Sequence, residues 1–333
     1  IFLALVFLRV PIVYAIGIAS LVDFLYLGIN PMQMALKFVS NLNSYTLLAV
    51  PFFITMGELM GAGGVTDTLI DFSKELVGWV RGGAAMVNVV ASFFFGGISG
   101  SSSADCASLG PIEIKMMEEQ GYDRPFSTCL TMASSVEGIL VPPSQNMVIF
   151  TLAAAGVTTV SIGQLFLAGY VPGAVLSIAL MVYSYYYSKK QNIPVTGHFS
   201  IRNCGRAFLK AIWGLLAVLI VVVGVIAGVF TTTESAAVAV VWSMAVGLFI
   251  YRGFTIKDIP HIFNNVTTTL GKVLILIGVS GAFTYLLTYL KVPETVTKAL
   301  FSLTSNKIVI LILLNVLMLV LGCLIEMACL ILM

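Results

Sequence analysis

The sequence predicts an all-α polytopic membrane protein, and three observations predict it. Of 333 residues, 59% are hydrophobic and only 10% charged, where a soluble domain carries about 25% charged residues. From Gly138 through Ser188 no side chain is charged. The chain also holds 30 glycines, a residue more frequent in membrane helices than in soluble ones. Hydrocarbon offers the backbone no outside partner, so apolar chain of this length spans as helices, with lipid as its surroundings. A net charge of +2 leaves no electrostatic footprint for nucleic acid.

Crossing ~30 Å of hydrocarbon takes about 20 helical residues. Segments of that order fall at 1–22, 45–62, 163–187, 211–230, 235–251, 271–290 and 308–333. The first, broken only by Arg9 and Pro11, reads as a span rather than a cleaved leader, because no small-residue cleavage site follows it. Two stretches have the wrong length. Met86–Ile98 dissolves into Gly100-Ser101-Ser102-Ser103 before Ala104–Met117 resumes, which predicts a re-entrant hairpin over about 82–118. Phe126–Val141 and Asn146–Ala155 are interrupted by Pro142-Pro143-Ser144, which predicts a helix unwound at its middle, over about 126–155. Backbone that leaves the helix at membrane depth is tolerated only inside protein or beside a water-filled cavity. Two such segments in tandem point to a transporter binding site.

Lys189, Lys190, Arg202, Arg206 and Lys210 place 188–210 in the cytoplasm by the positive-inside rule. Counting back puts the hairpin base, with Arg81 and Lys115, on the same side; counting forward puts 291–307 outside, against its own lysines. A weak internal repeat aligns the run from Val65 with the run from Val292, 227 positions later. An odd number of crossings separates the two, which makes the repeats inverted. Residues 1–210 then form the first repeat. Residues 211–333 are then expected to form an incomplete second one, ending inside a second hairpin and lacking roughly 80 residues of that repeat.

The densest polar cluster is Gly96 to Asp105. Glycine lets backbones approach closely, and serine hydroxyl and carbonyl oxygens suit a hard cation. Ser99, Gly100 and Ser101 are therefore candidate sodium ligands, with Ser102 and Ser103 facing substrate. The alternative is that Ser103 or Asp105 does no more than cap the second arm. Pro142 and Pro143 remove two donors and free carbonyls near Ile139–Val141. Val141 and Pro142 complete the candidate sodium shell, and Ser144, Gln145 and Asn146 face substrate; a plain proline kink is the alternative. Asp105, Pro143, Glu137 and Asn88 are candidate supporting residues. An intramembrane acid such as Glu137 flags function, or pairs with a hairpin lysine. Asn88 reads best as a helix-to-helix hydrogen bond. Glu58 and Glu326 are further polar groups at membrane depth, His198 and His261 read as solvated, and the five cysteines match no metal or redox spacing.

Taken in order, Gly82-Gly83 through Asn88, Ser99-Gly100-Ser101 with Ala104-Asp105, Gly121-Tyr122-Asp123 and Val141-Pro142-Pro143-Ser144 resemble the large membrane subunit of TRAP (tripartite ATP-independent periplasmic) transporters. Val10-Pro11-Ile12, Pro51-Phe52-Phe53 and the run Gly228 to Glu234 join the resemblance, which covers essentially the whole chain. It implies an elevator-type secondary transporter of the bacterial inner membrane, with sodium-coupled uptake of an organic acid anion. It implies two partners, a small four-helix membrane subunit and a periplasmic substrate-binding protein, and no cofactor beyond Na+ as coupling ion. It also implies a first sodium site between hairpin tip and unwound helix, and a second on the second hairpin. Thr232, Ile139 and Glu137 depart from the family pattern.

Two other functions compete. Gly97-Ile98-Ser99-Gly100 fits a rhomboid-like serine protease motif, but a serine nucleophile needs a base within hydrogen-bond reach and both histidines lie outside the spans. A passive channel is the closer rival, since hairpins also build pores. The expectation is a transporter, not an enzyme.

Overall fold

The computed structural model describes residues 1–155, 158, 160–195, 198–303, 306–323 and 327–332. Among them every regular element is helical, as the composition requires. In chain order the helices are α1 (Phe2–Phe7), α2 (Ile12–Tyr26), α3 (Met32–Leu42), α4 (Ala49–Ala62), α5 (Val65–Val77), α6 (Gly83–Ser99), α7 (Ser102–Ser108), α8 (Gly110–Glu119) and α9 (Arg124–Ser135). There follow α10 (Glu137–Leu140), α11 (Gln145–Ala154), α12 (Ile162–Lys190), α13 (Ile201–Ile226), α14 (Thr232–Ala245), α15 (Ile259–Tyr289), α16 (Val292–Leu303), α17 (Lys307–Gly322) and α18 (Met327–Leu332).

Four described helical segments are long and apolar enough to cross a bilayer: Ile162–Lys190, Ile201–Ile226, Thr232–Ile250 and Ile259–Tyr289. The chain is therefore an all-α, multi-pass membrane protein. The remaining expected spans are divided. The run 1–22 is two helices, because Pro11 has no N–H to continue a ladder and Arg9 takes a left-handed turn at φ 63°. The run 45–62 begins as a 3-10 turn at Thr46–Leu48, and after Gly64 (φ 82°) the chain bends by 72° into α5. α5 is amphipathic: Val65, Leu69, Ile70 and Phe72 are buried, while Asp67, Asp71 and Lys74 are exposed. The run 308–333 stops at Gly322 and resumes at Met327; Glu326 lies outside the described residues.

The chain forms two compact units. One contains residues 1–47 and 269–333. Its core joins Phe24 to Ala282 and Leu286, and Asn41 Nδ2 donates to Ile277 O at 2.7 Å. The other unit, Leu48–Thr268, holds both interrupted segments. At its centre is α6, in which every residue but Val90, Phe93 and Phe94 is buried. α6 packs against α4, α5, α9, α10 and α12. A helix buried this completely belongs inside the protein rather than against lipid.

Candidate functional site

Both predicted interruptions are present, and they meet. α6 ends at Ser99, Gly100 turns at φ 62°, Ser101 is extended, and α7 with α8 returns along α6. This is a helical hairpin over 83–119. On the second segment, α9 and α10 lead to Val141 in extended conformation, and α11 starts after Ser144. Pro142 and Pro143 offer no N–H to the carbonyls of Gly138 and Ile139, which lose their ladder donors.

Glycine brings the two breaks together main chain to main chain. A methyl added to Gly100 would sit 2.8 Å from Pro143 O, and one on Gly97 3.2 Å from Pro142 O. From the other side, a methyl on Gly138 would meet Ser101 O at 2.9 Å, and one on Gly96 would meet the Gly138 backbone at 2.8 Å. On α4, a methyl on Gly57 would lie 3.2 Å from Ser99 Cα. At Gly96, Gly100 and Gly138 a Cβ would force main chain to shift, and at Gly57 and Gly97 it would press the neighbour back by a few tenths of an ångström. α12 closes the third side: Gly173 faces Val141, and Tyr170 Oη donates to Pro142 O at 3.5 Å.

The expected site residues fall as follows. Ser99, Gly100, Ser101, Val141 and Pro142 are together at this crossing; Ser99 Oγ donates to Ser101 O at 3.3 Å. Ser144 is buried, and its Oγ and Gln145 Oε1 have no hydrogen-bond partner. Asn146 and Ser102 are half-buried, and Ser103 is exposed. Pro143 is buried in the break itself.

Three readings of supporting residues are settled by the packing. The cap of the second arm is Ser101, whose Oγ accepts a long 3.5 Å contact from Ala104 N, rather than Ser103 or Asp105. Asp105 points inward instead, with Ser92 Oγ 3.2 Å from its Oδ1. Ser92 Oγ also lies 3.3 Å from Ser134 Oγ, which donates to Asn88 Oδ1 at 2.7 Å, while Asn88 Nδ2 donates to Thr131 Oγ1 at 2.7 Å. Asn88 is thus the expected inter-helix bond, one link in a chain of polar groups from α6 to α9. Among the described residues Glu137 pairs with no lysine. Its Oε1 accepts from Ser177 Oγ on α12 at 2.8 Å, because the hairpin lysine Lys115 is on the surface beside Glu119.

Several contributors lacked a local signal. Glu113 on α8 is fully buried, and among the described residues neither of its carboxylate oxygens has a partner. Asp105 Oδ2 and Glu137 Oε2 are unpartnered as well. Gly169, Gly173 and Ser177 recur every fourth residue on α12 and form the face against the break. That small-residue spacing was available in the sequence as a packing signal. Below the site, Asp123 caps α9 by accepting from Phe126 N at 3.3 Å and also accepts the Tyr187 hydroxyl. The Tyr187 hydrogen bond holds the Asp123 carboxyl below the usual carboxylate range. His198 and His261 are exposed, and among the described residues no cluster of His, Cys, Asp and Glu has metal-site geometry.

Known proteins share this sequence along its length. The family model for the DctM component of the tripartite ATP-independent periplasmic transporter matches residues 1–333. The sialic acid TRAP transporter large permease SiaM of Vibrio cholerae is 36% identical over 328 residues, 97% of this chain and 75% of that protein. The isethionate TRAP transporter permease DctMQ of Oleidesulfovibrio alaskensis is 34% identical over 322 residues, 95% of this chain and 50% of that one. The C4-dicarboxylate large permease DctM of Pseudomonas aeruginosa is 36% identical over 290 residues, 87% and 67% respectively. The chain thus spans half to three quarters of the length of these relatives. It belongs to the DctM family of TRAP transporter components, a family of transporter permeases and not of enzymes.

Proposed function

We propose that this chain carries the transport path of a sodium-coupled symporter that imports an organic acid anion. The observation that supports it is the meeting of two helix breaks, with Gly100 and Gly138 each set against the other segment's main chain. Continuous helices keep their carbonyls and amides to themselves, whereas two facing breaks offer both kinds of group at one place. In this reading Ser99, Gly100 and Ser101 with the carbonyls of Val141 and Pro142 hold sodium, a hard cation suited to oxygen ligands. Ser102, Ser103, Ser144, Gln145, Asn146 and the first amides of α11 face the anion. Asp105, Glu113 and Glu137 lie buried behind the crossing without a basic partner among the described residues.

The substrate class follows the relatives, whose names give sialic acid, isethionate and C4-dicarboxylates. All are acids, so we read an organic acid anion here. The same reading makes a small four-helix membrane subunit and a periplasmic substrate-binding protein the partners, the bacterial inner membrane the location, and an elevator movement the mechanism. Residues 1–210 and 211–333 are read as inverted repeats. Two correspondences support this: α5 and α16 are 13 and 12 residues long, and each is followed by an apolar helix, of 17 and 16 residues.

The test is uptake by proteoliposomes holding the transporter with its partner subunit and binding protein. Accumulation against a gradient is expected only with external sodium, with Ser99→Ala and Ser101→Ala each weakening the sodium response. Uptake that ignores sodium would reject the symport reading, and downhill leakage without the binding protein would make the chain a channel.

A further inference from the structure

Between α5 and α13 lies a cleft of about 320 Å³ that the transport path does not use. Asp71, Lys74 and Glu75 of α5 form one wall, and Asn203, Arg206 and Lys210 of α13 form the other. The walls differ in charge. Lys74 Nζ lies 3.6 Å from Asp71 Oδ1. Glu75, Arg206 and Lys210 have no ion pair within 4.0 Å among the described residues. Arg206 and Lys210 are one helical turn apart, so two cations share a face, an unfavourable arrangement unless an anion sits between them.

The cleft also lies at a definite depth. α13 carries its charges up to Lys210, and Ala211 through Ile226 carries none. Exposed Phe208 and Leu209 lie between the two basic residues, and exposed Trp213 follows them into the apolar run. α5 leaves α4 at 72° and ends at Val77, and, two residues on, the ring of Trp79 packs 5.5 Å from that of Phe199. Aromatic side chains of this kind gather at the membrane–water boundary, so the charged cleft opens where lipid headgroups are and its apolar skirt where acyl chains begin.

We propose that this cleft seats the headgroup of an aminophospholipid, phosphatidylethanolamine. Its phosphate lies on Arg206 and Lys210, and its primary ammonium on Glu75 and Asp71. An anionic headgroup would satisfy the α13 wall and bring nothing for the acids opposite. A choline headgroup carries a cation that has no N–H to give them. A phosphate and an ammonium joined by two carbons match both walls at once, and a charge-assisted hydrogen bond at either end is roughly twice as strong as a neutral one.

Native mass spectrometry of the intact, delipidated transporter complex tests this, with phosphatidylethanolamine, phosphatidylcholine and phosphatidylglycerol of identical acyl chains as probes. The expected result is an ethanolamine-lipid adduct favoured about tenfold over the choline lipid, the worth of one charged hydrogen bond. Arg206→Gln with Lys210→Gln should weaken all three adducts. Asp71→Asn with Glu75→Gln should keep the glycerol-lipid adduct and erase the preference for ethanolamine. The four side chains lie on the surface, and retained glycerol-lipid binding in the second variant reports an intact fold. Equal ethanolamine and choline adducts in the wild type, or a preference that survives the loss of both acids, would overturn the proposal. Free phosphoethanolamine that competes as well as the lipid would overturn it too, by assigning the cleft to a soluble zwitterion.

Discussion

Helix α12 carries Pro172 in its interior and continues for 29 residues, whereas α10 reaches Pro142 and Pro143 and ends at Leu140. Both segments are apolar and neighbours in the fold. Part of the difference is arithmetic: one proline removes one donor from the ladder, and two in succession remove two and clash with the turn before them. The surroundings decide the rest. α12 exposes Leu167, Val171 and Val175 beside its proline, and a break on a lipid-facing side would leave polar backbone in hydrocarbon. The break after α10 is walled by α6 on one side and by Gly173 of α12 on the other, with Val141 through Ser144 all buried. Proline thus opens the helix where protein encloses the opening.

The enclosure is where the comparison breaks most readily. Gly138→Val would push a branched side chain toward Ser101 O, already 2.9 Å from a single methyl at that position. Overpacking of this kind costs about 1–3 kcal/mol, and here the atoms that must yield are main chain on both sides. The expected outcome is a lowered melting temperature with sodium-dependent uptake reduced to background. Gly205→Ala on α13, where nothing lies within 4 Å of the added methyl, should change neither. Unimpaired uptake by Gly138→Val would show that the hairpin tip and the break need not touch.

Replacing both prolines of the break sharpens the same contrast with a smaller effect. Pro142→Ala with Pro143→Ala restores two N–H donors to the carbonyls of Gly138 and Ile139, each bond worth about 1 kcal/mol net. Slower amide exchange across 138–146, higher thermal stability and a several-fold weaker sodium response are expected together. Pro172→Ala should leave the sodium response as it is, because α12 is helical there with or without the proline. An equal loss of sodium response in the two variants would mean that the break has no special part in ion binding.

How much of this was readable beforehand follows from the range of each interaction. Gly100 to Ser103 and Pro142-Pro143 mark their interruptions within a few residues, so both breaks were legible from the sequence. Their meeting is expected only as a shared ion shell, and the contacts that make it carry no local signal, because the approach of Gly138 to Ser101 and of Gly57 to Ser99 joins residues far apart along the chain. Asp105 was read as a possible cap because caps are local, while its partner Ser92 is a tertiary neighbour. Likewise Glu137 reads locally as a functional acid or as the partner of a hairpin lysine, and the fold supplies the hydroxyl of Ser177, 40 residues away. The opening run read as one span because hydrophobicity averages across Arg9 and Pro11, whereas backbone hydrogen bonding does not.

The smallest expected effect concerns the foot of the interrupted segment, where it is tied to the continuous one. Asp123 begins α9 and accepts the Tyr187 hydroxyl near the end of α12, and that hydrogen bond holds the carboxyl's pKa below its ordinary value. A carboxyl whose folded value is depressed adds stability above its unfolded value of about 3.9, and that contribution is lost as pH falls through the lower folded value. Asp123→Asn keeps a good N-cap and removes only the charge. Melting temperatures of the two proteins should therefore differ slightly and constantly from about pH 5 upward, and converge below about pH 4. Sodium-dependent uptake should be unchanged, since Asp123 anchors the segment and lies outside the break. A difference that persists unchanged into acid would show that the Tyr187 bond does not depend on the charge of Asp123.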